Sequence, residues 1–537
     1  MKNNKKFNNR RKPNRSQQNR RNNGEAEIKQ DQMKGNSDQM SSLNDISWYA
    51  HNPALLEAAG RIPFAKLPGM SLDLKSLSIA GGASSGRYDV VPANKLTIPG
   101  MLEIDWLPSV GWSVDNTSPA SLAAKELYAK VREKFSGSLD EDAPDILIYM
   151  MALDSIYAYI GHLKRIYRTI STYSPMNTML PDGVCKCMGI TSAEATSLRK
   201  EKTKLWGVIN TLIAQSKKFT CPDVMDILRR HYWMSSNIYA DANSAKAQFY
   251  VFNQTHFYQF NETTSTGGSL ELIAAPSDHT ADGFYSFGDT LISKLAASAD
   301  AYTINGHLMR AFEGSPLFSV DQLLESETLD AVYVPEVLSQ IHNIRTINSR
   351  VTNEDFAITQ DPNTNTIIHK PAMTYAGNLT NVNWATPNEK TPVVLDLHVD
   401  NPTVTDITIA SRLAIAVRSV DTTNKKVYLY CGTEIPWSMS VIYYDDTNST
   451  YEAFAFASFI GNAGTSVANA NDLLQALSLL SSFDWHPIVT TFVGSSNDAK
   501  KIWSFGDIFN ITTVDPEVMG DLHRVCVLSE FNAYGIA

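Results

Sequence analysis

A chain of 537 residues with 43% hydrophobic and 19% charged side chains is long enough for two or three domains with sizeable cores and is globular in composition. No apolar run reaches the roughly 20 residues that cross a bilayer; the best, 146–160, is interrupted by Asp154. Its 46 basic and 56 acidic residues give a net charge of −10, and that charge is unevenly placed.

Residues 1–21 carry Lys2, Lys5, Lys6, Arg10, Arg11, Lys12, Arg15, Arg20 and Arg21 and no acid. Without these nine cations the chain counts 37 basic against 56 acidic residues, a net of −19, so an acidic body carries a basic arm. Asn and Gln fill most of the spaces, and Phe7 is the arm's only aromatic residue. With so little apolar surface to bury, the free arm is expected to be disordered. Such a polycation fits a polyanion bound through phosphate charge and counterion release, without base readout. Lys/Arg clusters also serve as nuclear-import signals, anionic-membrane tethers or solubilising tails. A tether is disfavoured, because amphipathic spacing is missing and Met1 is followed by Lys2 rather than Gly.

From 22 to 44 the chain is polar, charge-balanced and rich in Gln, Asn and Ser, which predicts a flexible linker. Order is expected from Ile46, Trp48 and Tyr49, and Pro63, Pro68, Pro99, Pro108 and Pro119 suggest extended segments laid over other elements. Helices are predicted across 118–243. Ser118 and Pro119 give a cap and first turn, with Leu122, Leu127, Val131 and Phe135 on one face until Gly137. Asp142 and Pro144 open a longer helix in which Ile146, Met150, Leu153, Tyr157, Ile160, Leu163, Tyr167 and Ile170 recur at helical spacing. Its first half is apolar nearly all round and should be core. Lys164, Arg165 and Arg168 give the second half a polar side expected to reach a surface or an interface. Helical patterns continue over 193–218 and 222–240.

Residues 249–260, FYVFNQTHFYQF, read as a β-hairpin, and 320–329 and 335–348 as helices. Asn, Thr and Pro make 353–392 a candidate exposed insertion of loops and short strands. Residues 393–399, 406–417, 425–431, 438–444 and 453–459 read as strands of an antiparallel sheet, and 467–480 as a helix. No internal period is visible.

Chemical signatures are weak. The run Gly81, Gly82, Ala83, Ser84, Ser85, Gly86 and Arg87 has the glycine spacing of a phosphate loop, but Arg87 and Tyr88 stand where Lys and Ser/Thr are needed, so a turn is expected. Cys185 and Cys187 could offer thiolates to zinc, yet Cys221 and His231 lack the paired spacing of a metal site. His162 has no carboxylate one turn away and reads as a core or interface histidine. Asp484 and His486 beside Trp485 point to nothing definite. Five cysteines with no signal peptide ahead of them are expected to be reduced, in a cytoplasmic chain. No cofactor, no metal ligand and no catalytic residue is assigned.

The basic Asn-rich arm, RIPFAKLPGM at 61–70, DILIYMMALDSIYAYIGHLKRIYRTI at 145–170 and SPMNTMLPDGVCKCMGI at 174–190 together resemble the capsid protein of picobirnaviruses. The resemblance covers length, order of segments and overall plan, through structural rather than chemical motifs. It implies an α+β chain with a helix-rich shell domain and a β-containing protruding region, preceded by the disordered basic arm. The corresponding division is 1–45 for the RNA-interacting arm and linker, 46–250 for a mainly helical shell domain, 251–400 for a mixed region with the protruding insertion, and 401–537 for a β-rich segment with a helix. It further implies symmetric dimers of this chain in a small icosahedral shell, assembled in the host cytoplasm around segmented double-stranded RNA and the viral polymerase, without stable membrane association. The nine cations are then assigned to the shell interior, facing RNA. Some similar proteins shed an N-terminal peptide, and Asn22, Asn23, Asn36 and Asn44 could attack their own following peptide bonds, with no motif fixing a site. Two other readings remain: a protein that coats RNA without closing a shell, and a cytoplasmic enzyme with a targeting tail.

Overall fold

The computed structural model describes residues 51–60, 71–73, 95–97 and, from 100 to 532, all but 136, 138, 174–178, 243–246, 264–266, 347–350, 375–391, 446–449, 457–458, 461–476, 496–497 and 506–508. The basic arm, the linker, the 61–70 motif, the glycine run at 81–86 and most of the helix expected over 467–480 lie outside the described residues. The chain divides into two units, Met1–Lys66 and Leu67–Ala537. In the first, α1 (Pro53–Gly60) is capped by Asn52, whose Oδ1 accepts from the Ala54 amide at 3.1 Å.

The second unit opens with an antiparallel pair, β1 (Ser71–Asp73) and β2 (Lys95–Thr97), followed by β3 (Met101–Pro108) and α2 (Pro119–Lys134). Ser118 does precede α2, but its hydroxyl accepts from the amides of Val114 and Asp115 in the approaching turn instead of capping its own helix. The centre of the unit is α3 (Ala143–Ser171), 29 residues long. Its first turn closes through the Asp145 carboxylate, which accepts from the Asp142 amide at 2.9 Å. Ile146, Ile148, Met150, Leu153, Tyr157, Ile160 and Tyr167 are all buried, and each large apolar side chain so removed from water contributes about 1.5–3 kcal/mol. By length and composition α3 could span a membrane, but the whole of its most apolar window is buried inside the protein.

The polar flank of α3 does not reach a surface. Lys164 is buried because residues 316–330 run across this flank without the helix expected over 320–329, and Arg165 is buried on another side, its Nη1 donating to the carbonyls of Met234, Asn237 and Phe252 at 3.1, 3.2 and 2.8 Å. The backbone carbonyls of the 316–330 segment bind side chains from below: Lys164 Nζ donates to Asp321 O at 3.0 Å, Tyr167 Oη to Glu325 O at 3.0 Å and Trp206 Nε1 to Leu323 O at 2.9 Å. A helix would consume those carbonyls internally.

Around α3 pack α4 (Met179–Cys187), α5 (Ser192–Lys200), α6 (Lys202–Ser216) and α7 (Asp226–Ser236). The helix expected over 193–218 is therefore two, divided at Glu201. Next come β4 (Ile238–Ala240), β5 (Phe249–Gln254), β6 (His256–Thr263) and β7 (Gly267–Ala274). The hairpin expected at 249–260 does not form: β5 lies parallel to β3, with Phe249 opposite Met101, while β6 pairs antiparallel with β7. Thr255 alone separates β5 from β6, too short a break for the two-residue turn that a hairpin needs.

Two further helices, α8 (Ala281–Ala296) and α9 (Ala299–Ala311), lead to β8 (Ala331–Val332), α10 (Pro335–His342), α11 (Asn353–Phe356), the hairpin of β9 (Thr359–Asp361) and β10 (Thr366–Ile368), and β11 (Ala372–Thr374). After β12 (Val393–Asp396), residues expected to begin a strand at 406 instead form α12 (Val404–Ala410). The sequence VTDITIA favours a strand, but Thr403 and Asp406 make a reciprocal capping box that starts a helix. The remainder is β13 (Ala416–Asp421), β14 (Lys426–Tyr430), β15 (Glu434–Asp445), β16 (Thr450–Phe456), β17 (Phe459–Ile460), β18 (Val489–Ser495), β19 (Asp498–Phe505), β20 (Ile511–Val514) and α13 (Pro516–Glu530). These strands do not share one sheet. A mixed six-stranded sheet runs β16-β15-β3-β5-β4-β8, β13 and β14 join β11, and β12 pairs with β20.

Candidate functional site

The nine arm cations lie outside the described residues, and the side chains whose geometry is described are those of the body. Cys185 and Cys187 sit on α4, fully buried, and burial pushes the Cys185 thiol up to about 12. A thiol so far from ionisation is a poor nucleophile and gives up its proton to a metal reluctantly. All five cysteines are free and buried. His162 is buried as expected of a core histidine; burial and the neighbouring Arg165 guanidinium, 3.3 Å from its Nδ1, hold its pKa well down.

Sequence spacing gave no hint of the largest assembly of buried charge. Glu434, at the start of β15, has no exposed surface and receives Arg230 Nε from α7 and Arg412 Nε, the latter at 3.4 Å. Arg412, in the short 3₁₀ turn Ser411–Leu413, also pairs with Glu530 at the end of α13, while Arg230 Nη2 donates to Gln340 Oε1 at 2.8 Å. Beside Arg230 on α7, His231 Nδ1 lies 2.7 Å from Asp154 Oδ2 of α3, and its Nε2 lies 3.7 Å from Glu434 Oε1. Burial alone would push the Glu434 carboxyl up, but the two guanidiniums outweigh it and hold it at about 2. Asp154 moves the other way, raised by burial despite its histidine. Two arginines facing two glutamates in a dry site bind one another and orient α3, α7, α10, β15 and α13. That chemistry locks a fold.

A second acidic pair lies on β3. Glu103 and Asp105 are two residues apart and so share a face, and Asn253 Nδ2 of β5 donates to both, at 3.3 and 3.0 Å. Burial, then the neighbouring carboxylate, pushes Glu103 well up, and burial brings Asp105 to about 6.

Among the described residues, one group gathers donors suited to a metal: His342 at the end of α10, Asp396 at the end of β12, and His398 two residues on. His342 Nε2 is 3.1 Å from Asp396 Oδ2, His398 Nε2 is 3.3 Å from the same oxygen, and the two nitrogens are 3.1 Å apart. Only the Asp-x-His alternation along an extended strand could have suggested it, since His342 is remote in sequence and Asp484 and His486 offered a rival pair. His486 does approach, its ring 6.1 Å from that of His342.

Comparison with known proteins bears on the whole chain and not on any of these clusters. Residues 48–443 match the family model described as Picobirnavirus, Capsid protein. The chain is 26% identical over 535 residues, 95% of each chain, to the capsid protein precursor of Human picobirnavirus (strain Human/Thailand/Hy005102/-). Its fold is similar to that in the X-ray crystallographic structure of the picobirnavirus capsid, with a TM-score of 0.73 at 21% identity, covering 92% of this chain and all of the other.

Proposed function

Because the chain belongs to the picobirnavirus capsid protein family, we propose that it assembles as symmetric dimers into a small icosahedral shell around segmented double-stranded RNA and its polymerase, with residues 1–21 neutralising phosphates inside. A capsid protein is a component of the virion and builds a shell from copies of itself; dimer symmetry, nucleic acid, polymerase and assembly in the host cytoplasm are the parts proposed. One observation carries the RNA assignment: all nine charges of residues 1–21 are positive, whereas residues 22–537 sum to −19. A body of that sign repels RNA, so a shell built from it needs a separate cation source.

Subunit contact draws support from the surface. Along α13, Val518 and Val525 lie seven residues apart on one face, each 51% exposed, and Phe509 and Ile511 lie exposed just upstream. The division at 46–250, 251–400 and 401–537 is retained as a proposal, with the protruding insertion somewhere within 251–400; the described part of the stretch expected to be an exposed insertion, 353–374, is instead packed inward, since Phe356, Ile358, Ile367 and Met373 are buried in the core. The human relative is named a precursor; for this chain we extend that to removal of an N-terminal peptide within the linker, at Asn22, Asn23, Asn36 or Asn44.

Expression of the full chain and of a deletion of residues 1–21, each treated with nuclease and resolved by size exclusion and electron microscopy, tests the reading. The full chain should give uniform closed particles containing protected RNA, and the deletion particles with less of it. Unchanged RNA per particle would remove the arm's role. Open filaments would favour an RNA-coating protein, and a discrete monomer that ignores RNA at low ionic strength would end the capsid assignment.

A further inference from the structure

We propose that His342, Asp396 and His398 form a binding site for a first-row divalent metal ion, with zinc as the ion that the donors fit. Tetrahedral coordination at about 2.0–2.1 Å places donor atoms roughly 3.3 Å from one another. The three donor atoms here stand 3.1, 3.1 and 3.3 Å apart, one triangular face of such a tetrahedron. Two imidazoles and a carboxylate are a borderline-soft set suited to zinc, and solvent completes the fourth position.

A single shared proton is the alternative to a metal in this arrangement. A neutral imidazole has one N–H. If His342 carries it on Nε2, that hydrogen must choose between Asp396 Oδ2 and His398 Nε2, both 3.1 Å away. If it carries it on Nδ1, the tautomer that a metal on Nε2 requires, the Nε2 lone pair faces both the carboxylate oxygen and the His398 nitrogen. A cation at the centre accepts all three lone pairs.

The surroundings preorganise the donors. Asp396 Oδ1 accepts from the backbone amides of Asn510 at 2.8 Å and Phe509 at 3.1 Å, which turns Oδ2 toward the rings. Asn343, next to His342, brackets the Asp396 backbone, its Oδ1 accepting from Asp396 N at 2.8 Å and its Nδ2 donating to Asp396 O at 2.9 Å. The Trp485 ring lies 5.0 Å from His398, and Phe509 stacks over the same imidazole at 6.3 Å. Bound there, zinc joins α10 to β12 and to the segments holding Trp485 and Phe509, and holds the fold together without performing chemistry.

The test uses the full-length chain, purified without chelator and desalted. Elemental analysis should find about one zinc per chain. After EDTA treatment, added Co²⁺ should give the visible absorption of a tetrahedral N/O site, saturating near one equivalent, and added Zn²⁺ should raise the thermal midpoint. His398→Ala, which removes a partly exposed ring, and Asp396→Asn should each abolish the cobalt spectrum and the zinc-dependent rise. If stripped wild-type chain shows neither spectrum nor shift at tenfold excess metal, or if His398→Ala binds cobalt as the wild type does, the site is not a metal site. The wild-type arm needs no variant to fold, so the outcome is decisive either way.

Discussion

Glu434 shows how a residue forbidden by burial becomes one required by its neighbours. Moving a lone carboxylate into a site with no exposed surface favours its neutral form, yet Arg230 and Arg412 hold it at about 2 against an ordinary value of 4.5. Such a depressed group contributes stability that is fully present above pH 4.5 and is lost as pH falls through about 2. That displacement corresponds to roughly 3 kcal/mol, the lower end of the 3–5 kcal/mol expected when one partner of a buried pair is removed. Glu434→Gln should therefore lower the unfolding free energy by about 3–5 kcal/mol at neutral pH, and the deficit relative to wild type should narrow below pH 4.5. Denaturant midpoints measured across that range check both statements; a deficit independent of pH would mean that the carboxylate's charge is not what binds the cluster. None of this was legible beforehand, because Asp154, Arg230, Arg412, Glu434 and Glu530 are scattered along the chain and meet only once five elements are packed.

Helices were more legible than strands, for physical reasons visible in particular segments. The length and burial of α3 follow from apolar residues recurring at 3.6-residue spacing over eight turns, and no competing interaction overrides them. In α12 the β-branched run misleads, because a reciprocal cap of two side chains outweighs weak strand propensity in a short segment. At 249–263 both strands were foreseen and their pairing was not, since pairing depends on β3 and β7, which the local sequence cannot disclose. Close helix approach was equally hidden. Gly288 of α8 faces α6 and α3 so closely that an added Cβ would lie 2.7 Å from Leu212 Cδ1 and 3.1 Å from the Tyr159 ring. Gly288→Ala gains up to about 1 kcal/mol of helix propensity but must push these side chains apart at a cost of about 1–3 kcal/mol. The net effect should be a lower thermal midpoint, and in a Leu212→Ala background, itself destabilised, Gly288→Ala should cost nothing further; a higher midpoint for the single variant would show that the α6–α8 contact yields freely.

For the molecule as a whole the decisive quantity is charge separation along the chain. Nine positive charges precede a remainder of net −19, so binding to a polyanion should reside in the first segment and be opposed by the second. If all nine cations engage duplex RNA or DNA, the log–log dependence of affinity on salt concentration should approach a slope of about −8 for the 1–21 peptide. In the intact chain the acidic body adds repulsion that salt itself screens, so the slope should be shallower and the affinity at low salt lower than for the peptide. Fluorescence anisotropy titrations of peptide, intact chain and the 1–21 deletion over a range of salt concentrations separate these terms. A peptide whose affinity ignores salt would mean that phosphate neutralisation is the wrong mechanism. A deletion that binds as tightly as the intact chain would place the RNA contacts on the folded body, where a net negative charge would have to be overcome by a locally basic face.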